Sequence, residues 1–229
     1  MKLQRQGEMT RSVVDRKVLD SVRNFYAAGL NYRAHIAWAV SRGGAHKVPA
    51  QADIGYRSNN ALICSCEDIV IPKDSSGPVE YEGELVAVIG ERTKQVSEKD
   101  ALKCVAGYTL GNDVSERGWQ KGDRTLWRAK NCDTFKPMGP AIVDGMDPMS
   151  PTIDVRINGK TVSSYSTAGM IFGVAHYISA MSRYLTLHPG DVIWFGCDGP
   201  TLPALQPGDL VEVVNEHIGV LANRVTRDG

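Results

Sequence analysis

The chain has 229 residues, 26 Lys and Arg against 26 Asp and Glu, and 42% hydrophobic residues. Zero net charge removes the electrostatic footprint of a nucleic-acid binder, and the sequence has neither a polybasic face nor an apolar run of the ~18 residues that a membrane-spanning helix needs. A chain of this mass buries roughly 70% of its unfolded surface, enough for a core without staples, and the five cysteines (Cys64, Cys66, Cys104, Cys132, Cys197) have no zinc spacing and fit a reducing, cytoplasmic setting.

No repeat or linker divides the chain, so a single domain over residues 1–229 is expected, with 1–23 as a charged arm or a loosely attached strand that does not read as a signal peptide. Val22 to Leu30 reads as a strand. Asn31 to Val40 then has helical spacing with Asn31 as N-cap, which places His35 just past a strand-to-helix junction. Val79 to Gly90 is the strongest strand. Ser97 and Glu98 start a short helix, Cys104 to Val114 is extended, and Ser115 to Gly122 forms a helical turn or two. Asn158-Gly159, flanked by Thr152 to Asn158 and Val162 to Ser166, is the best hairpin signal. Met170 to Leu185 repeats apolar residues at helical spacing. Turns at Pro189-Gly190 and Pro207-Gly208 lead into strands over Asp191 to Phe195 and Asp209 to Val214, and Gly219 to Val225 is the last strand. The pattern is α+β and mostly β, without the regular alternation of a doubly wound fold.

The chemistry concentrates in Val79 to Ile89. Side chains alternate along a strand, so Glu80, Glu82 and Glu84 share a face with Val86 and Val88. Carboxylates this close on a face that becomes buried repel unless a cation neutralises them. Gly83 between them marks the close approach of another group. Asp113, at the end of the following strand, adds a further carboxylate, and an all-oxygen set suits Mg²⁺, Mn²⁺ or Ca²⁺ rather than zinc. The competing readings are a solvated acidic edge and, for Asp113, the N-cap of a helix starting near Ser115. His46, His176, His188 and His217 have no metal-binding spacing, and His188, before a Pro-Gly turn, reads as structural.

Gly29-Leu30-Asn31-Tyr32-Arg33-Ala34-His35, Tyr81-Glu82-Gly83-Glu84-Leu85, Gly107-Tyr108-Thr109, Asn112 to Arg117, Ala129-Lys130, Gly139-Pro140, Asn158-Gly159, Thr167 to Phe172 and Pro189 to Ile193, in this order, resemble the fumarylacetoacetate hydrolase family from about residue 24 to 225. The resemblance implies a mixed β-roll, usually a homodimer, that uses a divalent metal on 2-oxo or enolisable acids. By position it implies Glu82, Glu84 and Asp113 as metal ligands and His35 and Lys130 as catalytic residues. It also implies Arg117, Gln120 and, more loosely, Arg57 as substrate contacts. Cys197, in the loop matching a family active-site segment, joins them as a pocket residue, and Tyr32 and Trp194 join by neighbourhood. The reaction expected is hydrolysis of a carbon–carbon bond in an acylpyruvate or diketo acid; the alternatives are a hydroxymuconate-type isomerase, an oxaloacetate-type decarboxylase, and a non-catalytic relative with a structural metal. Three departures bear on that choice. Trp38 stands where many hydrolytic members orient the histidine with glutamate, Ser163 replaces a glutamine after the Asn-Gly turn, and Phe195-Gly196-Cys197-Asp198 replaces a common Thr-Gly-Thr-Pro segment.

Overall fold

The computed structural model of the chain describes residues 9–41, 43, 47–199 and 201–229, so His46 and the first eight residues of the expected arm lie outside the described residues. Its strands are β1 (Thr10–Val13), β2 (Phe25–Ala28), β3 (Ile54–Tyr56), β4 (Leu62–Ile63), β5 (Ile69–Ile71), β6 (Val79–Glu80), β7 (Gly83–Ile89), β8 (Val105–Asn112), β9 (Ser115–Glu116), β10 (Lys136–Asp144), β11 (Thr152–Ile157), β12 (Lys160–Ser166), β13 (Val192–Trp194), β14 (Leu210–Asn215) and β15 (Gly219–Arg227). Between them run the helices α1 (Arg16–Asp20), α2 (Arg33–Ser41), α3 (Arg117–Gln120) and α4 (Val174–Tyr184). The expected mostly-β α+β class holds. Among the described residues no helix is long and apolar enough to cross a membrane.

Strands β1-β10-β8-β7-β13-β2-β3 lie side by side in that order, with β4 added beside β10, and β12-β11-β14-β15-β5 form a second sheet. Pairing is mixed: β7 and β8 are antiparallel, whereas β13 runs parallel to β2. The sheets meet through β7 against β11 and β8 against β14. Leu85 and Ala87 from one and Ile153 and Val213 from the other share a core with Val174, Tyr177, Ile178 and Met181 of α4. Thr10–Val13 of the arm pairs with the outer strand β10 and is exposed throughout, a peripheral strand.

The Asn158-Gly159 hairpin forms as expected: both residues take positive φ, 52° and 78°, as the tight primed turn requires. Gly83 gives the opposite lesson. A Cβ there would lie 2.6 Å from Val155 Cγ2 and 3.1 Å from Val213 Cγ1, so the close approach it permits is that of the second sheet, not of a ligand. Asn31 does not cap α2, which begins at Arg33. Its amide instead accepts from Phe172 N–H (3.0 Å) and donates to Phe172 O (3.1 Å) and Phe195 O (3.3 Å), tying the strand end to two distant loops. The Ser97 segment forms a capped turn, with helical geometry only over the short 3₁₀ stretch Ala101–Cys104.

Candidate active site

The expected strand over Val79 to Gly90 is broken at Tyr81 and Glu82. Val79 and Glu80 pair with β9 in a separate two-stranded ribbon, and the ladder to β8 resumes at Gly83. The break leaves no orphaned backbone group at Glu82: its N–H donates to Asn112 Oδ1 (3.0 Å) and its carbonyl accepts from Asp113 N–H (2.8 Å). The chain thus passes between sheets while Glu82 and Glu84 keep their common side, opposite Gly83. Both open into a cavity of about 490 Å³. Glu80, Glu82 and Glu84 are 4%, 7% and 2% exposed, which rules out the solvated-edge reading.

Asp113 arrives from the end of β8. It is not a helix cap; Glu116 fills that role for α3, accepting from Trp119 N–H. Oxygen atoms of Glu82, Glu84 and Asp113 all lie within 4.8 Å of one another. Asp113 is held by Arg57 Nη2 (2.9 Å), Lys130 Nζ (2.7 Å) and Lys136 Nζ (2.8 Å). Burial alone would raise its pKa, but Arg57, Lys130 and Lys136 hold the carboxyl well below the usual carboxylate range. Glu82 is likewise kept ionised against burial, by Lys130 (2.6 Å) and Arg117 (2.6 Å). Glu84 differs. It accepts one hydrogen bond, from Gly196 N–H (2.8 Å), and burial together with Asp113 and Glu82 pushes its pKa well above the ordinary value. A buried carboxylate short of positive charge, converging with two others, is a donor set that fits a hard dication.

The other expected residues divide. His35, Arg57, Arg117, Gln120, Lys130 and Cys197 line the same cavity. Tyr32 and Trp194 do not. Tyr32 is buried edge-to-face against Tyr165, 5.3 Å between ring centroids, and Trp194 packs on Phe25 in a pocket left by Gly111, where a Cβ would sit 2.4 Å from its ring. Arg117 is bound on three nitrogens: Nε to Glu80 (2.8 Å), Nη2 to Glu82 (2.6 Å) and Nη1 to Gln120 Oε1 (2.8 Å). The loop carrying Lys130 is folded over the Asp123 carboxylate, which accepts from the N–H groups of Trp127 (3.2 Å), Arg128 (2.8 Å) and Ala129 (2.8 Å).

His35 has no carboxylate at position 38; Trp38 stands edge-on to its ring instead, with 5.6 Å between centroids. The orienting partner is a backbone carbonyl, Cys197 O, 3.0 Å from Nδ1. A carbonyl only accepts, so the proton sits on Nδ1 and Nε2 keeps its lone pair. Burial lowers the His35 pKa from 6.5, which keeps the ring neutral at pH 7. Cys197 lines the cavity, and burial, with Glu82 and Glu84 nearby, drives its thiol pKa far above the usual range, against thiolate formation.

Sequence reasoning passed over Lys136, the Cys197 carbonyl, Asp123 and Thr201. Lys136 had a signal, being a lysine between Phe135 and Pro137-Met138 in an otherwise apolar strand start. Its ammonium is fully buried, donating to Val114 O and Phe135 O at 2.9 Å, and burial lowers its pKa to about 8.

The family model for the fumarylacetoacetate (FAA) hydrolase C-terminal domain matches residues 24–226. A 2,4-didehydro-3-deoxy-L-rhamnonate hydrolase from a Sphingomonas strain is 36% identical over 87% of this chain and 72% of its own length. The mitochondrial oxaloacetate tautomerase Fahd2a of Rattus norvegicus is 33% identical over 86% of this chain and 64% of its own. Among solved structures, a 5-carboxymethyl-2-hydroxymuconate delta-isomerase from Mycobacterium smegmatis superposes with a TM-score of 0.80 and 35% identity, covering 90% of this chain and 79% of that one. With the match running through the acidic pair, Asp113 and the Lys130 loop, the chain belongs to the fumarylacetoacetate hydrolase family.

Proposed function

We propose that this chain is a divalent-metal-dependent enzyme that hydrolyses a carbon–carbon bond next to the oxo group of an acylpyruvate or diketo acid. The observation that carries the reading is the buried Glu82, Glu84 and Asp113 triad set into a cavity whose wall also holds Lys130, Arg117 and a neutral His35. These carboxylates would hold Mg²⁺, Mn²⁺ or Ca²⁺, which supplies Lewis acidity to a chelating 2-oxo acid. Charge supports the substrate class. In the buried cluster Glu80, Glu82, Glu84 and Asp113 balance Arg57, Arg117, Lys130 and Lys136. A dication therefore brings two uncompensated charges, which a dianion such as an enolised 2-oxo acid or a dicarboxylate offsets.

The chain's own residues then have distinct tasks. Arg117 keeps one N–H on each Nη after its contacts to Glu82 and Gln120, enough to hold a substrate carboxylate in a fork. Lys130 Nζ supplies fixed positive charge where an enolate oxygen develops. His35 Nε2 takes a proton from water as the hydroxide adds to the carbonyl carbon, and that proton returns to the carbon of the departing enolate. Cys197 O steadies the imidazolium that forms in between.

A second reading, isomerisation or tautomerisation with His35 moving a proton between substrate atoms, is favoured by Trp38. Where a carboxylate would orient the ring toward an attacking water, position 38 carries an indole, and moving a proton within the substrate needs no bound water. The chain is proposed to work as one domain, as a homodimer, in the cytoplasm.

The first test is calorimetric titration of oxalate, a mimic of the pyruvate enolate, into metal-free protein and into protein with excess Mn²⁺. Binding that needs the metal and is lost in Glu84→Ala supports the reading. Absence of oxalate binding with metal bound removes it. An acylpyruvate and oxaloacetate in D₂O then separate the chemistries: cleavage to two carboxylic acids marks the hydrolase, release of CO₂ a decarboxylase, and deuterium exchange without cleavage the tautomerase.

A further inference from the structure

Glu80 has no place in the metal triad, yet its charge is as deeply buried as those of Glu82 and Glu84. A carboxylate survives such burial only with strong partners. One oxygen, Oε2, takes both: Arg117 Nε donates at 2.8 Å and the hydroxyl of fully buried Thr201 donates to the same atom. The two acidic anchors of Arg117 are not equivalent. Glu82 also belongs to the triad, so a bound cation would draw on the carboxylate that holds Nη2. Glu80 makes no such contribution, and its grip on Nε is independent of the metal.

We propose that Glu80, seated by the Thr201 hydroxyl, is a positioning residue that fixes the Arg117 guanidinium so that its remaining Nη hydrogens hold a substrate carboxylate in two-point geometry. The inference rests on the reading of Arg117 as an anion-binding group. Thr201 lies just beyond a stretch with two further duties: Gly196 N–H binds Glu84 at 2.8 Å, and Cys197 O binds His35 Nδ1 at 3.0 Å. Gly199, at φ +61°, lies against His35; a Cβ there would be 3.4 Å from its Cγ. One segment therefore steadies a triad carboxylate, the neutral histidine and the anion clamp together. Thr201 acts on substrate only through Glu80 and Arg117, which makes it separable from the other two contacts.

The test is oxalate titration in the presence of Mn²⁺, with Mn²⁺ affinity measured separately by the loss of the free-ion electron paramagnetic signal. Thr201→Val removes the hydroxyl while keeping the shape, and should weaken oxalate by about 3- to 10-fold, a part of what a hydrogen bond to a charged group contributes. Mn²⁺ affinity should stay within about twofold, and Thr201→Ser should restore oxalate affinity. If the effect runs through the guanidinium, it disappears when Thr201→Val is made in an Arg117→Lys background, because lysine cannot form the fork. An equal loss in both backgrounds, or none in the wild-type background, overturns the proposal while the metal site stands. Failure of wild-type protein to bind oxalate with Mn²⁺ bound overturns both the proposal and the reading beneath it.

Discussion

Glu84 is the carboxylate with the least compensation, and its replacement by glutamine should change stability in opposite directions with and without metal. In the metal-free protein the pKa of Glu84 is raised above its ordinary 4.5 by burial and by Asp113 and Glu82. A folded state that holds a proton more tightly than the unfolded chain loses stability as pH climbs above the unfolded pKa, so Glu84 is a burden to the metal-free fold near neutrality. Glutamine keeps an acceptor for Gly196 N–H, which now lies 2.8 Å from Oε2, and removes the charge. Glu84→Gln without metal should therefore melt about 2–4 °C above wild type at pH 8, the shift worth about 1 kcal/mol in a chain of this size, and by less at pH 5. With Mn²⁺ at 100 times its Kd the wild-type protein gains about 2.7 kcal/mol, or roughly 5–11 °C. At that same concentration a ~100-fold loss of affinity leaves Glu84→Gln about 0.4 kcal/mol, a rise under ~2 °C. Differential scanning calorimetry at pH 5 and pH 8, with and without Mn²⁺, reads all four numbers. A metal-free variant no more stable than wild type, or one with the full Mn²⁺ response, would refute the assignment of Glu84 as an ionised ligand.

His35→Ala should lower turnover of the cleaved substrate by about 10²–10⁴-fold while leaving metal-dependent oxalate binding in place; unimpaired cleavage would remove His35 from the reaction. Because burial lowers the His35 pKa from 6.5, the acid limb of kcat should fall below that pH; a limb above it would contradict the carbonyl-held neutral ring. Lys130→Met should reduce kcat by about 10²–10³-fold, as loss of a group that stabilises developing negative charge does, an effect that stopped-flow or steady-state assays would show directly. Gly83→Ala, whose Cβ would meet Val155 Cγ2 at 2.6 Å, should cost about 1–3 kcal/mol by overpacking, read as a fall in Tm, and an unchanged Tm would mean the sheets separate freely there.

What was legible in the sequence was mostly local. Period-two spacing put Glu82 and Glu84 on one side of a strand, and the Asn-Gly pair fixed the hairpin, because both depend on neighbours a few residues away. The assignments that failed turn on groups far along the chain. Asn31 reads as a cap until Phe172 and Phe195 arrive from more than a hundred residues off. Gly83 reads as room for a ligand until β11 and β14 fill it. Whether a lysine is solvated or buried beside Asp113 depends on tertiary packing, so Lys136 could be noticed but not placed, and the orienting partner of His35 is a main-chain carbonyl, which every residue but its position leaves undistinguished.

The alternation along β7 gives the molecule an internal check on assembly. Gly83 faces Val155 and Val213 while its two neighbours face the cavity, so a pairing error of a single residue would thrust both acids into the seam between the sheets and leave the cavity with a bare methylene. Asp113, at the end of β8, would then be the one triad carboxylate left in the cavity. Capture of a divalent cation would consequently report the register of the central strand, and a folding chain could be sorted by whether it retains Mn²⁺ through gel filtration. Single-residue insertions or deletions between Glu82 and Leu85 would be expected to erase stability and cation capture in one event, whereas length changes in the Asn158-Gly159 turn, at the far end of a hairpin of the second sheet, would leave capture intact.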